Sequence, residues 1–156
     1  MDKKILQAGA LQNIIVTVVI VLVLGGIYYQ SLEQSRIENR RKEAQNELLK
    51  LKSNIEQQAV NGSFKQTDGT SVAVNSTMEV VKLLQTSTTT TPIPTINNYY
   101  NIAVTIEPTT PTGGYILTAT PHPNGPQTKD ITVCQSIVLK VAADGSYNKN
   151  PPDCWK

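Results

Sequence analysis

The two cysteines, Cys134 and Cys154, are the residues of this sequence with the clearest capacity for chemistry. A cysteine pair can form a disulfide or supply two ligands to zinc. His122 is the single histidine and there is no Cys-x-x-Cys motif, so the other ligands of a zinc site are missing. The pair therefore favours a disulfide, which stabilises by roughly 3 kcal/mol when it closes a loop of about 20 residues. Because disulfides persist in oxidising compartments, we expect the C-terminal part outside the cytoplasm.

Short motifs of enzyme active sites are missing from the sequence. It has no glycine-rich phosphate loop and no HExxH motif. The run Asp144–Asn150 faintly resembles a calcium-binding loop, but its glycine is misplaced and the bidentate glutamate is absent, which favours a turn. We therefore predict no catalytic residues, no cofactor and no metal ion.

Four lysines near the C-terminus are the candidate contacts for DNA: Lys129, Lys140, Lys149 and Lys156. Residues 60–156 contain six lysines and six acidic residues, so the predicted head is neutral. A domain that binds nucleic acid normally carries a basic excess. The charge balance therefore places DNA binding behind a structural role. For a soluble fragment of residues 30–156 we expect only weak binding of duplex DNA, much of it from Arg36, Arg40, Arg41 and Lys42, because removal of the membrane half and of neighbouring helices exposes those four residues.

Two helical patterns precede the candidate residues. Residues 5–32 contain no charged side chain and would reach roughly 42 Å as a helix, more than the roughly 30 Å of bilayer hydrocarbon. This predicts a transmembrane helix, with a cleaved signal peptide as the alternative. An apolar stripe then predicts an amphipathic continuation to about residue 60; its members are Ile37, Ala44, Leu48, Leu51 and Ile55.

The rest of the sequence predicts a small β-rich layer. A capping box at Ser76–Glu79 predicts a helix over about 77–85, followed by a Thr- and Pro-rich loop at 86–95. The runs NYYNIAVTI, YILTATP and SIVLKVA predict three antiparallel strands, and NKNPPDCWK an irregular tail. The fold class is α+β, organised as a transmembrane segment (1–29), a soluble helical half (30–60) and a head (61–156).

Several motifs resemble those of type IV minor pilins. They are YYNIAVTI, then YILTATPHPNGPQTKDITVCQSIVLKVAADGSY, and the closing Cys-Trp, in the order found in that family. YYQSLEQSR at 28–36 resembles the segment that follows the family's hydrophobic half-helix. The resemblance implies a long N-terminal helix packed on a four-stranded antiparallel sheet. It also implies that Cys134 and Cys154 bound a disulfide-closed region.

The N-terminus departs from the family pattern. Family members have a leader glycine followed by Phe-Thr-Leu-Ile-Glu, and counting back from YYQSLEQSR places Lys4 and Gly9 at the glycine and the glutamate. Cleavage after Gly9 would instead place Ile14 at the position of the glutamate. Since neither register contains the carboxylate, the sequence does not predict leader cleavage.

The resemblance implies a structural subunit of a type IV pilus, competence or type II secretion-type machine. Such a subunit would cross the inner membrane once, with its head in the periplasm or, after assembly, on the cell surface. Its implied partners are other pilin subunits through the N-terminal helix, an inner-membrane assembly platform and membrane lipid. The alternatives are a minor pilin that binds DNA during transformation and an anchored protein that no longer enters a fibre.

Overall fold

The computed structural model describes residues 3–66, 69–90, 92–107, 113–130 and 132–155, with backbone alone for 3–15, 88–90 and 132. Residues 1–38 and 39–156 form separate compact units. Helix α1 is continuous from Lys3 to Asn61, so it begins in the first unit and ends in the second. This confirms the prediction of one helix that extends to about residue 60.

Apolar side chains project outward along the first unit. From Val16 to Leu24 each is at least half exposed, and Leu22 reaches 69%. Within the described residues, α1 is the one helix whose length and composition would allow it to cross a membrane. An all-round apolar surface without protein neighbours suits contact with lipid chains.

The second unit packs the rest of α1, a hairpin, a second helix and a five-stranded sheet. The hairpin pairs β1 (Ser63–Lys65) with β2 (Ser71–Ala73), and α2 spans Thr77–Thr90. The sheet contains β3 (Ile93–Pro94), β4 (Tyr100–Ile106), β5 (Tyr115–Pro121), β6 (Ile137–Val141) and β7 (Tyr147–Asn150). Its order is β3-β4-β5-β6-β7, and every neighbouring pair is antiparallel.

The three strands predicted from sequence are the central three of this sheet. The expected four-stranded sheet is wrong by one strand, and the last three residues of β7 lie within the part predicted as an irregular tail. All four β7 residues are exposed, so the strand has no hydrophobic alternation that would identify it. It pairs with β6 after a tight turn in which Gly145 adopts φ 82°, a left-handed conformation that glycine accepts without steric cost.

Helix α2 starts at the predicted capping box. The Glu79 amide donates to the Ser76 hydroxyl at 3.3 Å, and the Glu79 carboxylate accepts from the Asn75 amide at 2.6 Å. The helix continues to Thr90, so the prediction of a loop from residue 86 was wrong. Within this extension the Thr86 hydroxyl donates to the Lys82 carbonyl one turn earlier at 3.0 Å, so this polar side chain has a partner inside the helix.

The core lies between α1, α2 and one face of the sheet. Ala44, Leu48 and Ile55 of α1 are at most 1% exposed, as the apolar stripe predicted, while Leu51 is half-buried at its margin. They contact a cluster from α2 and the sheet that includes Val80, Val81, Tyr100, Ile102, Val104, Tyr115, Leu117, Ala119, Ile137, Leu139 and Val141. This helix-on-sheet packing confirms the predicted α+β class.

Candidate nucleic-acid interface

The two cysteines form a disulfide, as the sequence predicted. Cys134 and Cys154 have Cα atoms 5.5 Å apart and are each 1% exposed. The bond joins two short 3-10 turns, Thr132–Cys134 and Pro152–Cys154. It therefore connects the segment before β6 to the segment after β7, and fixes the end of the edge strand.

Lys149 and Trp155 form a cationic and aromatic pair beside this disulfide. The Lys149 ammonium lies 5.2 Å from the centroid of the Trp155 ring, and the indole N–H donates to the Asn150 carbonyl at 3.4 Å. Trp155 is half-buried and packs against the core. A cation held over an aromatic face remains able to attract phosphate.

A buried ion pair joins α1 to the loop that contains Lys129. The Arg41 guanidinium donates from Nε to Asp130 Oδ2 at 3.1 Å and from Nη2 to Asp130 Oδ1 at 2.5 Å. The Asp130 side chain is 1% exposed and that of Arg41 is 12% exposed. The expectation that the Arg41 side chain is exposed is therefore wrong, because it is largely buried against Asp130 inside the unit.

Tyr100 and Gln127 complete the buried polar cluster around Asp130. Gln127 is fully buried and its amide donates to Asp130 Oδ2 at 3.2 Å. Tyr100 lies beside Gln127, and burial, followed by the nearby Asp130 carboxylate, raises the pKa of the Tyr100 hydroxyl. The phenol is therefore neutral at physiological pH.

Two glutamine side chains donate hydrogen bonds to backbone carbonyls next to the disulfide and next to Lys129. Gln45 donates to the Cys154 carbonyl at 2.5 Å in a buried contact. Gln135 donates to the carbonyls of Thr128 and Asp130, at 3.1 and 3.3 Å. Lys129, which is exposed, lies between these two carbonyls and so projects from a backbone that is held on both sides.

Arg40 and Tyr99 form a second cation–aromatic pair next to the same loop. The Arg40 guanidinium carbon lies 4.7 Å from the Tyr99 ring centroid. The Tyr99 carbonyl accepts the His122 amide at 2.9 Å, and the His122 carbonyl accepts the Gly125 amide at 2.8 Å. A Cβ at Gly125 would lie 3.1 Å from the His122 carbonyl oxygen, so the turn needs a small residue there.

The chain belongs to a family whose model covers residues 31–138, well over half its length. That family is described as type IV minor pilin ComP, DNA uptake sequence receptor. The chain is a ComP-family minor pilin. A search of curated proteins and a search of solved structures each gave no significant match.

Membership confirms the resemblance seen in the sequence and the type IV pilin-like fold. As a ComP-family protein, the chain is a membrane-anchored pilin of the competence type, from a family of structural subunits. The matched part includes Arg41, Lys129 and Asp130 and ends before Lys149 and Trp155. The family match therefore does not extend over the second half of the disulfide-bounded region, and conclusions about that part rest on the geometry of this chain.

The structure separates the four lysines predicted to contact DNA. Lys129 and Lys149 lie on segments that the disulfide joins. Lys149 pairs with the core-facing Leu139, whereas Lys140, one residue further along β6, points to the opposite face of the sheet. Lys140 also lies 3.4 Å from the Glu107 carboxylate. Lys156 lies outside the described residues.

Most acidic side chains of the described head have internal partners. Glu47 pairs with Lys50 at 3.0 Å and Glu56 with Lys52 at 2.6 Å. Asp144 accepts from the Ser146 amide and hydroxyl, and these bonds lower the pKa of its carboxyl. This Asx turn confirms the prediction of a turn at Asp144. Among the described residues, no three His, Cys, Asp or Glu side chains are grouped so that they could hold a metal.

Sequence reasoning missed the Arg41–Asp130 pair, the Gln45 contact and the Arg40–Tyr99 pair. One signal was available, because Arg41 and Gln45 continue the row of core-facing positions that includes Leu48. Polar residues in a core-facing row need buried partners. Which partners they find depends on how the loops fold over the helix, and the helical pattern does not contain that information.

Proposed function

We propose that this minor pilin binds DNA through the face that displays Lys129 and Lys149. The DNA-binding alternative thereby moves ahead of a purely structural role. The description of the ComP family as a receptor for a DNA uptake sequence supports the proposal. The arrangement of charge on the head supports it independently.

The observation that carries the proposal is the joining of two basic segments by the disulfide. Lys129 precedes Cys134 by five residues and Lys149 precedes Cys154 by five residues, so both flank the bond. The nearest acidic residue to Lys129, Asp130, is turned inward and paired with Arg41. The Asp130 carboxylate is therefore turned away from a phosphate backbone that approaches this face, although the exposed Asp153 lies on the same disulfide-joined part.

On this proposal the near-neutral net charge of the head does not exclude DNA binding, because paired charges contribute little at a distance. Residues 39–156 hold eleven basic and nine acidic residues, and at least four acids lie in ion pairs within the head. An ion pair acts as a dipole, whose field falls off faster than that of a single charge. The local excess of cations around the disulfide can therefore attract DNA although the whole head is close to neutral.

The proposal also includes a location and partners for the protein. The apolar half of α1 holds the protein in the inner membrane and contacts lipid and other pilin subunits. Assembly uses a platform in that membrane. The disulfide requires an oxidising compartment, so the head lies in the periplasm or on the assembled fibre.

The test is DNA binding by the full chain in detergent, measured by fluorescence anisotropy with a labelled duplex. We expect Lys129→Ala and Lys149→Ala each to weaken binding, and each to reduce the slope of log affinity against log salt by about 0.9 for one lost phosphate contact. Lys140→Ala is the matched control, because it removes the same charge from the opposite face. Equal losses for all three variants would mean that no particular face binds DNA, and would refute the proposal.

A further inference from the structure

The buried pair between Arg41 and Asp130 lies directly under the turn that presents Lys129. We propose that Arg41 is a positioning residue for DNA binding, which holds the 3-10 turn Pro126–Lys129 in place through Asp130 without touching DNA. This inference rests on the proposed function. The inference gives Arg41 an indirect role, although its positive charge alone would suggest a direct contact with DNA.

The geometry of the pair fixes direction as well as distance. Two parallel donors of a planar guanidinium on two carboxylate oxygens allow little rotation, unlike the single point charge of a lysine. The Asp130 amide donates to the Gln127 carbonyl at 3.0 Å, and the Gln127 side chain returns to the Asp130 carboxylate. Lys129 lies within this closed turn, so the orientation of its backbone follows from that of Asp130.

Gln45 makes the equivalent attachment one helical turn later. It lies four residues after Arg41, about 6 Å along the same face of α1, and holds the Cys154 carbonyl. One helix face thus holds the backbone next to Lys129 and the backbone that leads back to Lys149. The separation of the two lysines is set by a rigid element rather than by loops alone.

The burial of Arg41 argues against a direct contact between its side chain and DNA. Its side chain is 12% exposed, and its Nε and one Nη donor are used by Asp130. Arg40, the preceding residue, has no part in this pair and lies over the Tyr99 ring instead. A phosphate could bind Arg41 only after the pair had opened.

Two substitutions of equal charge distinguish positioning from electrostatics. Asp130→Asn and Asp153→Asn each remove one negative charge, but Asp153 is exposed on the turn before Cys154, whereas Asp130 is buried against Arg41. Electrostatics alone predicts slightly tighter binding of DNA by both variants. If Arg41 positions the turn, Asp130→Asn should bind DNA about tenfold more weakly than the wild type, and Asp153→Asn should not bind more weakly. Tenfold is the scale seen when a supporting contact behind a binding group is lost.

A second variant guards against unfolding, since Asp130→Asn leaves a buried charge without its partner. The double substitution Arg41→Met with Asp130→Leu removes both charges and keeps the net charge unchanged. Apolar replacement of a buried ion pair commonly preserves stability. We expect only a small fall in melting temperature, because the buried Gln127 amide loses its bond to Asp130, together with about tenfold weaker binding of the duplex and shifted or broadened amide NMR signals of Thr128 and Lys129. Loss of stability alone would not single out those two signals.

The outcomes separate this inference from the function on which it rests. Tighter binding by Asp130→Asn would show that the released Arg41 contacts DNA, and would overturn positioning. Wild-type affinity in the double variant would overturn it as well. If wild-type protein binds and depends on Lys129 and Lys149, the proposed function stands in either case. If the wild-type full chain fails to bind the duplex, both proposals are refuted.

Discussion

Removing the disulfide should destabilise the head by an amount that can be calculated from its position in the chain. Cys134 and Cys154 are separated by 20 residues. For a loop of that length the chain-entropy relation gives about 11 cal/mol/K, which is about 3.3 kcal/mol at 25 °C. The effect arises in the unfolded state, whose conformations the bond restricts. Simultaneous Cys134→Ala and Cys154→Ala substitution should therefore lower the free energy of unfolding by about this amount.

The assay is urea denaturation in detergent, followed by the fluorescence of Trp155, which is the only tryptophan. With a denaturant slope of about 1.5 kcal/mol/M, the midpoint should fall by about 2 M. Reduction of the wild-type protein is the control, because it opens the bond and keeps both sulfur atoms. A loss below about 1 kcal/mol in both experiments would refute the reasoning, since even partial restriction of the unfolded chain exceeds that value.

Two further predictions concern the core. Leu48→Ala removes a fully buried side chain and should lower the free energy of unfolding by about 3–5 kcal/mol, measured by thermal unfolding. Leu51→Ala, at the half-buried margin, should lower it by less than half as much. Equal losses of stability in the two variants would mean that the predicted stripe does not define the core. Burial raises the pKa values of Tyr100 and Tyr115 above the usual value of 10, so the stability they contribute is complete below pH 10 and is lost as pH rises through their higher folded values. Ultraviolet titration should show that these two tyrosines ionise only above pH 10, and their ionisation at pH 10 would contradict their burial.

The elements with strong periodic patterns could be predicted, because burial on one side imposes a repeat on the sequence. Ala44, Leu48 and Ile55 identified the face of α1 that packs on the sheet, and the three central strands were apparent from β-branched and aromatic runs bounded by turn residues. Strand β7 could not be predicted, since its four exposed residues carry no burial pattern. It forms because a tight turn and a disulfide hold it against β6, and that information is spread over distant positions.

The candidate site was predictable in part for the same reason. Lys129 and Lys149 could be proposed as DNA contacts from their place near the C-terminus, but Lys140 could not be separated from them until the register placed it on the other face of the sheet. Arg41 was expected to be exposed in a soluble fragment without the membrane half and neighbouring helices. Its burial depends on Asp130, which is 89 residues away in sequence.

The tethering of β7 at both of its ends has a mechanical consequence. A ligand bound at Lys149 that is pulled away from the protein exerts tension on an edge strand held to β6 by a ladder of four residue pairs. Such a ladder can be peeled open from one end, pair by pair. The disulfide covalently connects the far end of the strand to Cys134, so the extension that peeling could release is limited. Without the bond, pulling on Lys149 could straighten the chain back to Cys134 and lengthen the attachment by up to about 50 Å, at about 3.4 Å per residue. With it, the stretch from Lys149 to Cys154 provides a short second attachment, and the tension reaches the helix-bound part of the head with little slack.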